Sequence, residues 1–365
     1  MKRLRVAIIG QGRSGRDIHA AHMLALPEMF EIVAVAEPWK QRRDRARREL
    51  NCDVYGDYKP LLKRKDLDLV VNAAPSLYHV PYTLDLFRAG HNVLVDKPLA
   101  RRVKDVDRLI AAAKKAGKVF AIYQQSRYAP YYQKVREVIE SGVLGRIVQI
   151  SIAFSSFSRR WDWQTLTAWH GGNLLNTGPH PLDQALRLMD VPLDQTPEVF
   201  CHMDRAHYWG DAEGHVHLDL RAPGKPFVSI EISSCDAYPR GLYVVYGTQG
   251  GLKASFTEVT WKYYKPSEAP RRRVTTTPIH NPDGTPAYCT ESLTWHEEKW
   301  SVPDDQRDLF RTIGCAFYRM LYNHMVEGKP LEITPEQVRQ QIAVIEECHR
   351  QNPHIWGARR TRGKK

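Results

Sequence analysis

The stretch Leu4-Arg5-Val6-Ala7-Ile8-Ile9-Gly10-Gln11-Gly12-Arg13-Ser14-Gly15 decides how the first part of this chain folds. Leu4 to Ile9 is a short apolar run rich in β-branched residues, and Ser14 to Leu26 then carries apolar residues at helical spacing until Pro27. The reading is strand, tight turn, helix. Gly10, Gly12 and Gly15 fit G-x-G-x-x-G, where a side chain would block the turn, the approach of a diphosphate, or the contact between helix and strand. Alone this pattern is weak. Here it follows a strand, opens a helix whose free N–H groups suit a diphosphate, and is followed by Glu37 at the end of a second apolar run, Glu31 to Ala36.

Working outward, Gln41 to Leu50 is helical, Leu67 to Ala73 is an apolar run stopped by Pro75, and the helix Pro81 to Ala89 leads through Gly90 to the strand Val93 to Val95. The helix Val103 to Ala116 and the strand Val119 to Tyr123 complete the series. Strands alternating with helices predict an α/β unit, a doubly wound parallel sheet of Rossmann type, over residues 1–122. Beyond it the rhythm changes. Ile147 to Phe154, His215 to Leu220, Phe227 to Ser233 and Leu242 to Tyr246 read as long strands. Helices at Tyr131 to Ser141, Pro181 to Met189 and Pro335 to Gln351 would pack on one face of the sheet they form. This predicts a C-terminal α+β domain, 123–365, with a large, mostly antiparallel open sheet whose bare face is expected to make a homo-oligomer, a dimer or tetramer. Lys265 to Glu291, dense in Pro, Arg and Thr, is the expected long loop.

The 365 residues are 42% hydrophobic, and no run approaches the roughly 18 apolar residues of a membrane span. The chain enters its first strand without a signal-peptide core, so the expectation is a soluble cytoplasmic protein. Six singly scattered cysteines lack the short spacing of zinc sites and read as reduced thiols. The net charge of +12 sits partly in three runs, Lys40 to Arg48, Arg271 to Arg273 and Arg359 to Lys365. The first reads as a solvated helix face and the last as a frayed tail, and no aromatic-and-basic motif points to nucleic acid.

Glu37 is placed to accept hydrogen bonds from adenosine ribose hydroxyls, which favours NAD, while Lys40, Arg42 and Arg43 leave NADP open. Ala74-Pro75-Ser76-Leu77-Tyr78-His79 leaves a strand where ligands of open α/β sheets gather, with His79 either a cofactor neighbour or a helix cap. Lys97, between Asp96 and Pro98, emerges at the same edge, and the following proline keeps its backbone extended. Pro181 suits a first helical position and leaves His180 at the cap, where the helix dipole disfavours imidazolium and keeps the ring available as a base. Asp183 either orients that imidazole or is an acid in a first helical turn. His79, His170 and His180 lack the short spacing of metal ligands.

Several segments together resemble one family: the GQGRSG turn, AVAEP, AAPSLYH, AGHNVLVDKPLA (the family's AGKHVLxEKPLA), QSRYAP and GGNLLNTGPHPLD. This is the glucose-fructose oxidoreductase, inositol dehydrogenase and rhizopine-catabolism family, Gfo/Idh/MocA, and the resemblance spans nearly the whole chain. It implies an NAD(P)-dependent dehydrogenase acting on a sugar, sugar derivative or cyclitol. Lys97 would polarise the substrate oxygen and His180 would be the general acid/base. Gly10, Gly12, Arg13, Ser14, Gly15, Glu37, Ala74, Pro75, Ser76, His79, Asp96, Lys97 and Gln125 would meet the cofactor. Asn176, Asp183, Arg127 and Trp163 would meet the substrate, Trp163 within Arg160-Trp161-Asp162-Trp163-Gln164, which looks like a subgroup's active-site lining. Asp96 stands where Glu is usual, and Asn176 where many members have Asp, so no role for that carboxylate carries over. Rival readings are a lyase or glycosidase that reduces its cofactor transiently, and a cofactor-bound sugar sensor without catalysis.

Overall fold

A computed structural model describes residues 2–357 of the chain. Strands β1 (Leu4–Ile9), β2 (Phe30–Ala36), β3 (Asp53–Tyr55), β4 (Leu69–Asn72), β5 (Val93–Val95) and β6 (Phe120–Ile122) form one parallel sheet in the order β3-β2-β1-β4-β5-β6. This is the doubly wound order, with β1 and β4 flanking the point where the winding reverses. Register aligns the strand ends, since Ile9 lies opposite both Ala36 and Asn72, Asn72 opposite Val95, and Val95 opposite Ile122. Gly10, Glu37, Ala73 and Asp96 therefore leave the sheet in one row at its carboxyl edge. The buried apolar runs of β1, β4 and β5 are what a sheet covered on both faces requires.

Two features of this lobe depart from expectation. β3 was not foreseen, because three partly exposed residues at a sheet edge carry no periodicity. The helix after the glycine turn is not uniform: Ser14–Ala20 is wound as a wider π-helix before Ala21–Leu24 continues as α. Such bulges accompany functional sites, and this one carries His19, which is fully buried.

The second sheet joins β7 (Ile147–Ala153), β8 (Glu198–Asp204), β9 (His215–Arg221), β10 (Phe227–Ser233), β11 (Tyr243–Gly247), β12 (Gly250–Ala254), β13 (Glu258–Tyr263) and β14 (His296–Ser301). The order is β14-β13-β12-β11-β7-β10-β9-β8, antiparallel except for the pair β7 and β10. Alternation sorts its faces: Val216, Leu218, Leu220, Val228, Ile230 and Ile232 are buried, whereas Phe200 and Tyr246 are exposed on the open side. β8, β12, β13 and β14 were not foreseen from the sequence. The helix Leu309–Glu327, also unforeseen, returns to the first lobe, where Tyr318 and Tyr322 pack edge-on against Phe30 and the Tyr322 hydroxyl donates to the Lys2 carbonyl at 2.7 Å. The helix Pro335–Gln351 ties the lobes together as well, because Glu346 accepts from the Val103 N–H and Arg339 pairs with Asp107.

The segment from Lys265 to Glu291 is an exposed loop broken only by the turn Pro266–Glu268 and a bridge between His280 and Pro286. Among the described residues no helix is long and apolar enough to cross a membrane. All six cysteines are unpaired. The basic run Arg359 to Lys365 lies outside the described residues.

Candidate active site

The crevice over the carboxyl edge of the first sheet is shaped by its glycines. Gly10 has φ +92°, and a Cβ there would stand 2.5 Å from the Ala73 carbonyl oxygen. A Cβ on Gly15 would come within 1.9 Å of the Gly10 oxygen, so the close packing of helix on strand excludes any side chain. Gly12 is different, since its nearest neighbour would be Arg42 Nη1 at 3.5 Å. Its missing side chain leaves open the space before the turn, next to the helix that begins at Ser14, and a helix start is where free N–H groups suit an anion. These residues fit a dinucleotide diphosphate.

Glu37 is buried, and its carboxylate accepts the Gln11 N–H at 2.7 Å and the Trp39 N–H at 3.0 Å. It clamps the glycine turn to the end of β2. Arg42 stacks on Trp39 at 4.4 Å and lies 3.9 Å from Glu37. His79 is buried with one ring nitrogen against the Pro98 carbonyl at 2.7 Å and the other against the Ala74 carbonyl at 2.8 Å. It makes no helix-cap hydrogen bond and instead joins the loops after β4 and β5, holding the backbone of Ala74 beside that of Pro98. Gln125, beyond β6, is buried with Oε1 unpartnered. Among the described residues no group of three His, Cys, Asp or Glu could hold a metal ion.

Asp96 and Lys97 follow β5. The buried Asp96 carboxylate accepts the Lys97 N–H at 2.8 Å and a hydrogen bond from Ser14. Burial pushes its pKa up, but nearby His19, Lys97 and His79 prevail and hold it below the ordinary aspartate value. The Lys97–Pro98 peptide is cis. The Lys97 side chain crosses to the second lobe and donates from Nζ to the Asn176 carbonyl at 2.8 Å. Burial lowers its pKa against the pull of Asp96, and the charges of Arg13 and Arg160 lower it further.

The second lobe presents His180 to this ammonium. Its helix runs Pro179–Met189, so it begins two residues earlier than the sequence suggested, with Pro179 rather than Pro181 in first place. His180 thus lies inside the first turn, its N–H donating to the Thr177 carbonyl at 3.1 Å. Burial first, and then the Lys97 charge, press the imidazole pKa down to about 3, and Nδ1 is buried without a partner. The ring is neutral at physiological pH and unspent.

Asp183 does not orient it. Asp183 and Arg127, both expected at the substrate, form a buried two-point ion pair at 2.6 and 3.0 Å, and Arg127 Nη1 also donates to the Glu332 carbonyl and Gln337 Oε1. They are a strut under the His180 helix. Trp163 is 36% exposed and belongs to a rim of rings, 6.3 Å from Trp169, which stands 6.4 Å from Tyr78 of the first lobe. The wall of the adjoining cavity, about 140 Å³, is formed instead by residues that include Arg160, Asn176, Thr177, Tyr208, Ser156 and Ser158 beyond β7, and Ser233 and Ser234 at the end of β10. Asn176 Oδ1 accepts from Gln164 at 3.0 Å, and Gln164 accepts from Arg160. Behind this wall Glu213 accepts from the Leu174 N–H at 3.0 Å and Trp356 Nε1 at 2.9 Å, and fills the space a Gly172 Cβ would need. Glu213, Tyr208 and His19 were not picked out from the sequence, where each is an isolated polar residue outside any motif.

Comparisons with known proteins place both lobes of this chain in one family. Residues 4–124 match the family described as "Oxidoreductase family, NAD-binding Rossmann fold", and residues 132–253 match the "GFO/IDH/MocA C-terminal domain". The chain belongs to the Gfo/Idh/MocA oxidoreductases. Among curated Gfo/Idh/MocA relatives, D-glucoside 3-dehydrogenase of Escherichia coli is 31% identical over 52% of this chain and 55% of its own length. The 2,7-anhydro-N-acetylneuraminate hydratase of Mediterraneibacter gnavus is 24% identical over 69% and 67%. The fold is shared with the WlbA dehydrogenase from Bordetella pertussis, solved with NADH and UDP-GlcNAcA, at a TM-score of 0.75, 19% identity, and coverage of 96% of this chain and 95% of that one. As a Gfo/Idh/MocA protein the chain is an NAD-binding oxidoreductase.

Proposed function

We propose that this protein oxidises a CH–OH group of a sugar, sugar derivative or cyclitol, or runs the reverse reduction, with Lys97 and His180 managing the hydroxyl proton. The observation that carries the reading is the convergence of two groups from separate lobes: the Lys97 ammonium crosses to Asn176, and its charge reaches the unspent imidazole of His180. NAD, when bound, supplies a two-electron acceptor for the hydride of the carbinol carbon. Lys97 holds the substrate oxygen and stabilises negative charge as it develops there, a role worth roughly 10²–10³ in rate for a single donor. His180, held neutral, takes the hydroxyl proton, leaving a carbonyl product and an imidazolium. Asn176 hands its carbonyl to Lys97 and is fixed through its side chain by Gln164. The relative D-glucoside 3-dehydrogenase supports a sugar hydroxyl as the group oxidised.

The hydratase relative supports a second reading, transient oxidation followed by elimination and return of the electrons. Stopped-flow absorbance at the reduced-nicotinamide band separates the two, because net oxidation accumulates reduced cofactor and transient oxidation does not. In the same assay Lys97→Met and His180→Gln are each expected to lower turnover at least a hundredfold while NAD still binds. Wild-type rates in both variants would remove the pair from the mechanism.

A further inference from the structure

The cavity beside Asn176 has an uneven chemistry. One cation, Arg160, lines it, and no carboxylate does. The Arg160 guanidinium is fixed along one edge, Nε and Nη2 donating to Asp162 at 3.2 and 2.5 Å and Nη2 also to Gln164. Nη1 has no hydrogen-bond partner among the described residues. The hydroxyls of Ser156, Ser158 and Thr177 in the same wall also have no hydrogen-bond partner among the described residues, whereas those of Tyr208 and Ser234 are bonded to each other at 2.6 Å. A neutral polyol offers hydroxyl protons, and strong sites for them supply charged acceptors. This wall offers a preorganised cation and small hydroxyls, which match an oxyanion. The cavity adjoins the reactive pair, since Asn176 accepts from Lys97 and Thr177 accepts from the His180 N–H.

We infer that the substrate is a carboxylate-bearing sugar, a uronate or sugar acid, whose carboxylate is read by Arg160 through its free Nη1. The assignment rests on the proposed hydroxyl oxidation for its setting and adds the charge of the substrate. Arg160 is held in register with the reactive pair by the chain Asp162, Arg160, Gln164, Asn176, so a carboxylate bound there sets the distance from the recognised group to the hydroxyl that reacts.

The test compares matched pairs, D-glucose with D-glucuronate and D-galactose with D-galacturonate, on the NAD-loaded protein at one ionic strength. Turnover is read as reduced cofactor and binding as quenching of tryptophan fluorescence. The acid of a pair is expected to exceed its neutral parent in kcat/KM by roughly ten- to a hundredfold, the worth of one charge-assisted hydrogen bond. That ratio should collapse toward one in Arg160→Gln and be kept in part by Arg160→Lys. A wild-type ratio near one, a ratio that survives Arg160→Gln, or the absence of binding by either acid overturns the assignment. Arg160-dependent binding of the acids with no turnover of any sugar would uphold the carboxylate site and overturn the dehydrogenase reading instead.

Discussion

Replacing Asp183 by alanine separates a structural acid from a substrate-binding one. In the folded protein its two oxygens are held by Arg127 Nε and Nη2, and the side chain is about 1% exposed. Removing it strands a guanidinium that is itself largely buried, and breaking a buried pair in this way costs about 3–5 kcal/mol. Against the roughly 5–15 kcal/mol of a whole domain that is a large fraction. With a urea slope of about 1–3 kcal/mol per molar, the unfolding midpoint followed by tryptophan fluorescence should fall by about 1–5 M. The loss should spread, because Arg127 also holds Gln337, whose side chain accepts the Thr334 N–H in the cap of the helix Pro335–Gln351. The double variant Arg127→Met with Asp183→Leu removes both charges together and is expected to recover most of the midpoint. A normal midpoint in Asp183→Ala accompanied by a raised substrate KM would refute the strut and restore Asp183 to the substrate site.

Two further outcomes follow from close packing and from burial. Gly15→Ala places its Cβ 1.9 Å from the Gly10 oxygen, so it should abolish NAD binding measured by calorimetry and lower thermal stability; tight binding would show that helix and strand can part there. Glu213, fully buried, has its carboxyl pKa raised by burial from 4.5 to about 7. Below pH 4.5 the group is protonated folded or unfolded; as pH rises to 7 the unfolded chain ionises first. Stability should therefore fall across that window by about 3 kcal/mol, and Glu213→Gln should flatten this dependence in urea midpoints measured from pH 4.5 to 8.

The N-terminal sheet and its crevice were legible because their information is local. A strand, a glycine turn and a helix start occupy twelve consecutive residues, and parallel register then carries Glu37, Ala74 and Lys97 to the same edge. Lys97 and His180 were visible for the same reason, each lying in a short motif. The edge strand β3 and the strands β8 and β12 to β14 were not, because short or half-exposed strands draw their stability from neighbours rather than from their own pattern.

Side-chain partnerships were the part that sequence alone could not decide. Chain order determined that this protein winds a parallel sheet around a diphosphate crevice and follows it with an antiparallel one. Only the tertiary structure decided that Arg127 and Asp183 neutralise each other, that His79 clasps two loops, and that Arg160 rather than Trp163 lines the cavity. The physical reason is range. Backbone conformation follows from neighbours a few residues apart, whereas the partner of a buried charge is set by which distant segment packs against it.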